Sequence, residues 1–173
     1  MKFKKMNWSG NTDSRQILNR EHWERTKQEL NIGCTWEEIP KSMRENGIYV
    51  LLTKLVVEVE HDSGKWRWIF RPNYITDLAS VPSLAKSFVD DNDNEMILPA
   101  YVHDANFGGH LLSYKLSNDL FRWMLKEQGA SWWTRFLAWA GVSTSAGKKA
   151  YDRCESSPFK KNEDFVRFDW LNK

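Results

Sequence analysis

The sequence predicts an α+β protein: a small antiparallel β-hairpin or meander packed against three or more helices, with a helical N-terminal extension. Three observations carry that expectation. Apolar and charged residues alternate from Val57 to Phe70, which is the two-residue period of a strand. Pro99–Phe107, Ser117–Gln128 and Ser131–Tyr151 read as helices punctuated by glycine. The first third is polar and charged and carries helix-capping residues. The expected organisation is 1–47 as the helical extension, 48–155 as the α+β core and 156–173 as an aromatic C-terminal tail.

In chain order, residues 1–11 read as a flexible or docked arm. Thr12-Asp13 can cap a helix running to about Leu30, with Ile17, Leu18, Trp23 and Leu30 as its apolar side. Thr35-Trp36-Glu37-Glu38 has the form of a capping box, opening a short helix that stops at Asn46-Gly47. Ile48–Leu52 and Leu55–Val59 are β-branched and apolar, His61-Asp62-Ser63-Gly64 is a turn, and Trp66, Trp68 and Phe70 give the return strand an aromatic face. Arg71-Pro72-Asn73 breaks the hairpin before a short extended segment, Tyr74-Ile75-Thr76. Asp90–Glu95 is an acidic loop without the glycine and distal glutamate that a calcium loop needs. Ser117 and Ser131 are expected N-caps of the later helices, and the tail carries Phe165, Phe168 and Trp170 for packing on the body or on a neighbour.

Composition excludes some classes. A chain of 173 residues suits one domain with a sizeable core. Its ten Trp exceed what a core absorbs completely, so half-exposed aromatic surface is expected. A net charge of +2 sets up no strong field for nucleic acid or a membrane. The basic start, Met1–Lys5, runs into Asn7, Ser9, Gly10 and Asp13 rather than an apolar stretch, so no secretory signal is expected. The weakly charged run from Trp132 to Ala146 is interrupted by Arg135 and is too short to span a bilayer. Cys34 and Cys154 read as free thiols of a reducing compartment.

Chemistry, if present, lies in Thr76-Asp77-Leu78-Ala79-Ser80-Val81-Pro82, in His103-Asp104 and in Asp119. These are polar residues in apolar surroundings, where burial is costly unless each finds a partner. Asp77 follows a strand. His103 and Asp104 sit on one helix about 100° apart, and Asp119 opens the next helix, where the helix dipole stabilises a carboxylate. Packed antiparallel, the two helices bring the four residues together. Such a cluster can bind a divalent metal through Asp77, His103 and Asp104 and activate a water. It can also work as a metal-free general base oriented by an aspartate, or it can be a structural hydrogen-bond network. Ser80 lacks the G-x-S-x-G elbow of a nucleophile, and glycines separate His110 from His103. No zinc-spaced Cys pair, H-E-x-x-H, P-loop or G-x-G-x-x-G is present.

Taken together, Thr76–Pro82, His103-Asp104-Ala105-Asn106-Phe107 and Asp119-Leu120-Phe121 resemble an uncharacterised family of small tailed-bacteriophage and prophage proteins. Its pattern is T-D-[LF]-A-S-[VI]-P, then H-D-x-x-[YF], then an acidic residue before an aromatic. The resemblance covers roughly Val56 to Tyr151, with Phe107 where Tyr is usual and Lys115 where Arg is common. It implies a phage setting in the host cytoplasm or the virion. Two functions follow as expectations. One is a small hydrolase using Asp77, His103, Asp104 and Asp119, with a divalent metal as its cofactor. The other is a non-enzymatic virion or accessory protein whose polar cluster is a structural hub. Its N-terminal helices and C-terminal tail would dock on other phage structural subunits.

Overall fold

Two antiparallel sheets and six helices make up the described part of the chain, which in this computed structural model covers residues 2–78, 94–154 and 166–171. The elements are β1 (Phe3–Gly10), β2 (Ser14–Ile17), α1 (Arg20–Leu30), α2 (Lys41–Asn46), β3 (Ile48–Leu51), β4 (Leu55–His61), β5 (Gly64–Phe70) and β6 (Ile75–Thr76), followed by α3 (Asn94–Gly109), α4 (Tyr114–Glu127), α5 (Trp132–Val142), α6 (Ser145–Cys154) and β7 (Val166–Leu171). The fold is α+β, as its sequence predicts. One sheet has the order β1-β4-β5-β7 and the other the order β2-β3-β6.

The hairpin β4–β5 forms where the alternation predicts it. Leu55, Val57, Val59, Trp66, Trp68 and Phe70 point to one face and are buried. On that face they pack against α3 and α4, with Leu98, Tyr101, Val102, Leu120 and Met124 completing the main core. The opposite face carries Glu58, whose carboxylate receives Lys65 Nζ at 2.5 Å and Arg67 Nε at 2.6 Å. Those two cations hold the Glu58 carboxyl below its usual range. A second core lies on the three-stranded sheet, where Ile17, Trp23, Ile32 and Ile39 meet Ile48, Val50 and Ile75. A third packs Met96 of α3 against Phe121, Leu125, Ala138 and Val142. No helix among the described residues is long and apolar enough to cross a membrane.

The first forty-seven residues differ from the expected helical extension. Instead of an arm, β1 pairs with β4 along Phe3–Gly10, and Gly10 adopts φ +89° where a Cβ would lie 2.1 Å from the Lys54 carbonyl oxygen. The helix expected from Thr12-Asp13 starts at Arg20, capped by Asn19, whose Oδ1 accepts from the His22 N–H at 2.9 Å. Ser14–Ile17 pair with β3 instead, because Ile17 then reaches the second core opposite Ile48, leaving Leu18 70% exposed. Burial against a partner strand outweighs a weak helical pattern over so few residues. The Thr35–Glu38 capping contact forms, with the Thr35 N–H donating to Glu38 Oε2 at 2.7 Å, but the helix itself runs from Lys41 to Asn46, after Pro40.

Three later boundaries also move. Helix α3 begins before Pro99, because Met96 and Leu98 bury themselves in two of the cores. Ser113, not Ser117, caps α4; Ser117 is buried and donates back to the Ser113 carbonyl at 3.0 Å. The expected helix Ser131–Tyr151 is two helices broken at Ser143-Thr144. Ser131 caps the first, and Thr144 Oγ1 accepts from the Gly147 N–H at 3.1 Å to start the second. The tail contributes β7, an added strand beside β5 that sets Phe168 opposite Trp68 and Trp170 opposite Trp66. Ala79–Pro82, Asp90–Asp93 of the acidic loop, and Phe165 lie outside the described residues.

Candidate functional site

The polar residues singled out by the sequence divide between a buried chain of polar contacts and an exposed helix face. The buried chain starts on β6. Thr76 is 1% exposed on this short edge strand; its hydroxyl donates to Asp104 Oδ2 in a short contact and accepts from the Leu78 N–H at 3.1 Å. Asp104 is on α3, 15% exposed, and its other oxygen lies 3.9 Å from His103 Nδ1. On the far side of the ring, His103 Nε2 meets Asn118 Oδ1 of α4 at 2.8 Å. Asn118 reaches onward to the Val142 carbonyl at 3.5 Å, at the end of α5. Thr76, Asp104, His103 and Asn118 thus tie the three-stranded sheet to three helices.

His103 is enclosed. It is 2% exposed, with the rings of Phe107 and Phe121 centred 4.0 and 4.8 Å from its own. The Phe107 ring packs on His103, Tyr114 and Tyr151. Asp77 is half-buried next to Thr76, and Leu78 after it holds φ +49°, a left-handed conformation that is costly for a branched residue. Tyr101, one helical turn before Asp104, is buried. Burial pushes its hydroxyl well above the ordinary phenol range, and the Asp104 charge adds to this.

Asp119 stands apart from this group. It faces outward, 43% exposed, and pairs with Lys115 one turn earlier at 2.6 Å. The residue before it, Asn118, holds the inward position, a rotation of about 100° around the helix. The inward row Ser117, Asn118, Phe121, Met124 and Leu125 follows the helical period and was available to point at Asn118. Asn106 was likewise not singled out. It is buried on α3 and its Oδ1 accepts from Trp68 Nε1 at 2.9 Å, tying the helix to the hairpin. His110 stands in a left-handed conformation after α3 and meets the Tyr151 carbonyl at 2.9 Å, away from His103.

Among the described residues no three His, Cys, Asp or Glu side chains come together closely enough to hold a metal ion, and Asp77, His103 and Asp104 form no such set. The imidazole spends Nε2 on Asn118, and the Phe107 and Phe121 rings pack against it. This arrangement links β6, α3 and α4. The half-buried carboxylates of Asp77 and Asp104 are the groups at its outer end.

The fold and this cluster define an α+β protein built around a His-Asp pair that is hydrogen-bonded to a strand on one side and to a helix on the other. The chain belongs to a protein family of unknown function, DUF1353, whose model matches residues 51–142, more than half of its length. That stretch contains the hairpin, β6 and the whole buried polar chain. No curated protein and no solved structure matches the chain.

Proposed function

We propose that this chain is a small tailed-bacteriophage or prophage protein with a structural or accessory role, working in the host cytoplasm or as part of the virion. In this reading the Thr76–Asp104–His103–Asn118 chain is the hub that locks its fold. The observation that carries this reading is the enclosure of His103, 2% exposed between two Phe rings with Nε2 committed to Asn118. A general base or metal ligand must reach substrate or ion, and a side chain with 2% exposure is poorly placed to do so. Docking surfaces support the same reading. Trp8 is 52% exposed on one edge strand of the larger sheet and Trp170 is 56% exposed on the opposite edge, while Trp132, Trp133 and Phe136 form an exposed aromatic cluster on α5. Exposed aromatics of this kind anchor interfaces. Mass spectrometry of purified particles tests the virion version: the chain at a fixed copy number supports it, and its absence from particles restricts the role to assembly or the cytoplasm.

A second reading, a hydrolase, is favoured by one observation: Asp77 and Asp104 flank Thr76 at the outer end of the hub, beside the strained Leu78. Strain of this kind gathers at functional sites. Here Asp77 and Asp104 would do the acid–base work or hold a divalent metal, and His103 would position Asp104. Asp104→Asn separates the readings. An enzyme loses its activity with its fold intact, whereas a hub residue changes stability alone.

A further inference from the structure

Away from the hub, α4 and α5 border an open concavity of about 400 Å³ lined by Asp119, Arg122, Trp123, Lys126 and Arg135. That volume lies within the range of small-ligand sites, roughly 300–1,000 Å³. Three of its five lining side chains are cations, and among the described residues none of the three has a carboxylate within ion-pair distance. Its one carboxylate, Asp119, is already engaged by Lys115 at 2.6 Å. The concavity therefore presents uncompensated positive charge in a protein whose net charge is only +2. Arg122 is held in place, with its guanidinium 5.1 Å from the centre of the Trp139 ring. Trp123 supplies a half-exposed aromatic wall, fixed from behind by Phe3 at 5.2 Å.

We propose that this pocket binds a phosphorylated ligand of nucleotide size, with its phosphates on Arg122, Lys126 and Arg135 and its planar ring against Trp123. Two guanidinium forks and one ammonium lining a single concavity suit the dense charge of a phosphate chain. The carboxylates of an acidic peptide, spread along an extended backbone, fit that concavity poorly. The aromatic wall offers stacking of the kind that nucleobases use. The ligand can be a free nucleotide or a nucleotide within a single strand. The strand is a candidate source because Trp132, 56% exposed, stands one helical turn from Arg135.

Calorimetric titration of the full-length chain with ADP, inorganic pyrophosphate and a short single-stranded oligothymidine tests the assignment. ADP should bind, and pyrophosphate should bind about tenfold more weakly for want of the ring. Arg122→Glu and Lys126→Glu should each weaken ADP binding by about tenfold or more. Both side chains are exposed, so circular dichroism should show the fold unchanged. Tighter binding of the oligonucleotide than of ADP, lost in the same variants, identifies a strand as the source; equal or weaker binding identifies the free nucleotide. No heat with any of the three ligands overturns the proposal, as does ADP binding unaffected by both charge reversals. Pyrophosphate binding as tightly as ADP overturns the contact with Trp123.

Discussion

Replacing Trp23 asks whether the polar first third of the chain is an appendage or part of the body. Trp23 is 0% exposed in the second core, where α1 covers the three-stranded sheet through Ile17, Ile48, Val50 and Ile75. Truncating a fully buried Trp to Ala removes its transfer free energy and leaves a cavity, a cost of about 3–5 kcal/mol. For a chain of this size each kcal/mol moves the melting temperature by roughly 2–4 °C, so Trp23→Ala should melt about 6–20 °C lower than the parent. Trp23→Phe should behave differently. Among the described residues the buried indole N–H has no hydrogen-bond partner, and removing it relieves a desolvation cost of about 1–3 kcal/mol that offsets the lost area. Its net loss should be about 1 kcal/mol or less. Urea unfolding followed by far-ultraviolet circular dichroism measures both variants. A single cooperative transition shifted as described places α1 in the same folding unit as the hairpin. Trp23→Ala within about 1 kcal/mol of the parent would refute the reasoning.

Gly10→Ala should destabilise the chain and disturb the β1–β4 register, because the new methyl group meets the Lys54 carbonyl at 2.1 Å; backbone amide shifts of β1 in heteronuclear NMR read this directly. Asn106→Ala leaves the Trp68 N–H buried without its acceptor and should cost about 1–3 kcal/mol in equilibrium unfolding, while the double variant with Trp68→Phe should cost less than the two singles summed. His61 is fully buried, and desolvation holds its imidazole below the ordinary value of 6.5. The unfolded chain therefore takes up that proton first, so stability is highest above pH 6.5 and falls as the pH drops through 6.5 toward the lower folded value. His61→Asn should flatten that part of a stability–pH profile. Glu58 has the opposite charge type, and its ion pairs with Lys65 and Arg67 should be lost only as the pH falls below 4.5.

The hairpin was legible because its period is strict: every second residue of Leu55–His61 and Gly64–Phe70 is buried. β1 was not, because an edge strand exposing most of its residues carries no alternation, and its place is decided by β4 beside it. β2 is shorter still and reads as helix until Ile17 has a core to enter. In the candidate site, His103, Asp104 and Thr76 stood out as polar residues among apolar ones, and they do meet. Asp119 stood out for its charge, yet helix phase turns it outward and puts the neutral Asn118 on the imidazole. A carboxylate is conspicuous in a sequence, whereas an amide on the inward row of an amphipathic helix is found only by counting the helical period. The cations of the α4–α5 pocket were also invisible, because Arg122 and Lys126 read as an ordinary solvated i, i+4 pair on α4 and only the fold brings Arg135 of α5 beside them.

Equilibrium unfolding of His103→Ala tests most directly the claim that the His-Asp pair is a structural hub. Removing the ring opens a cavity between Phe107 and Phe121 and leaves the Asn118 oxygen without its partner. The hub predicts a loss of about 2–5 kcal/mol, or failure to fold, with His103→Gln recovering part of it by restoring a donor to Asn118. A variant that unfolds within about 0.5 kcal/mol of the parent would contradict the account and leave His103 as a residue kept for chemistry.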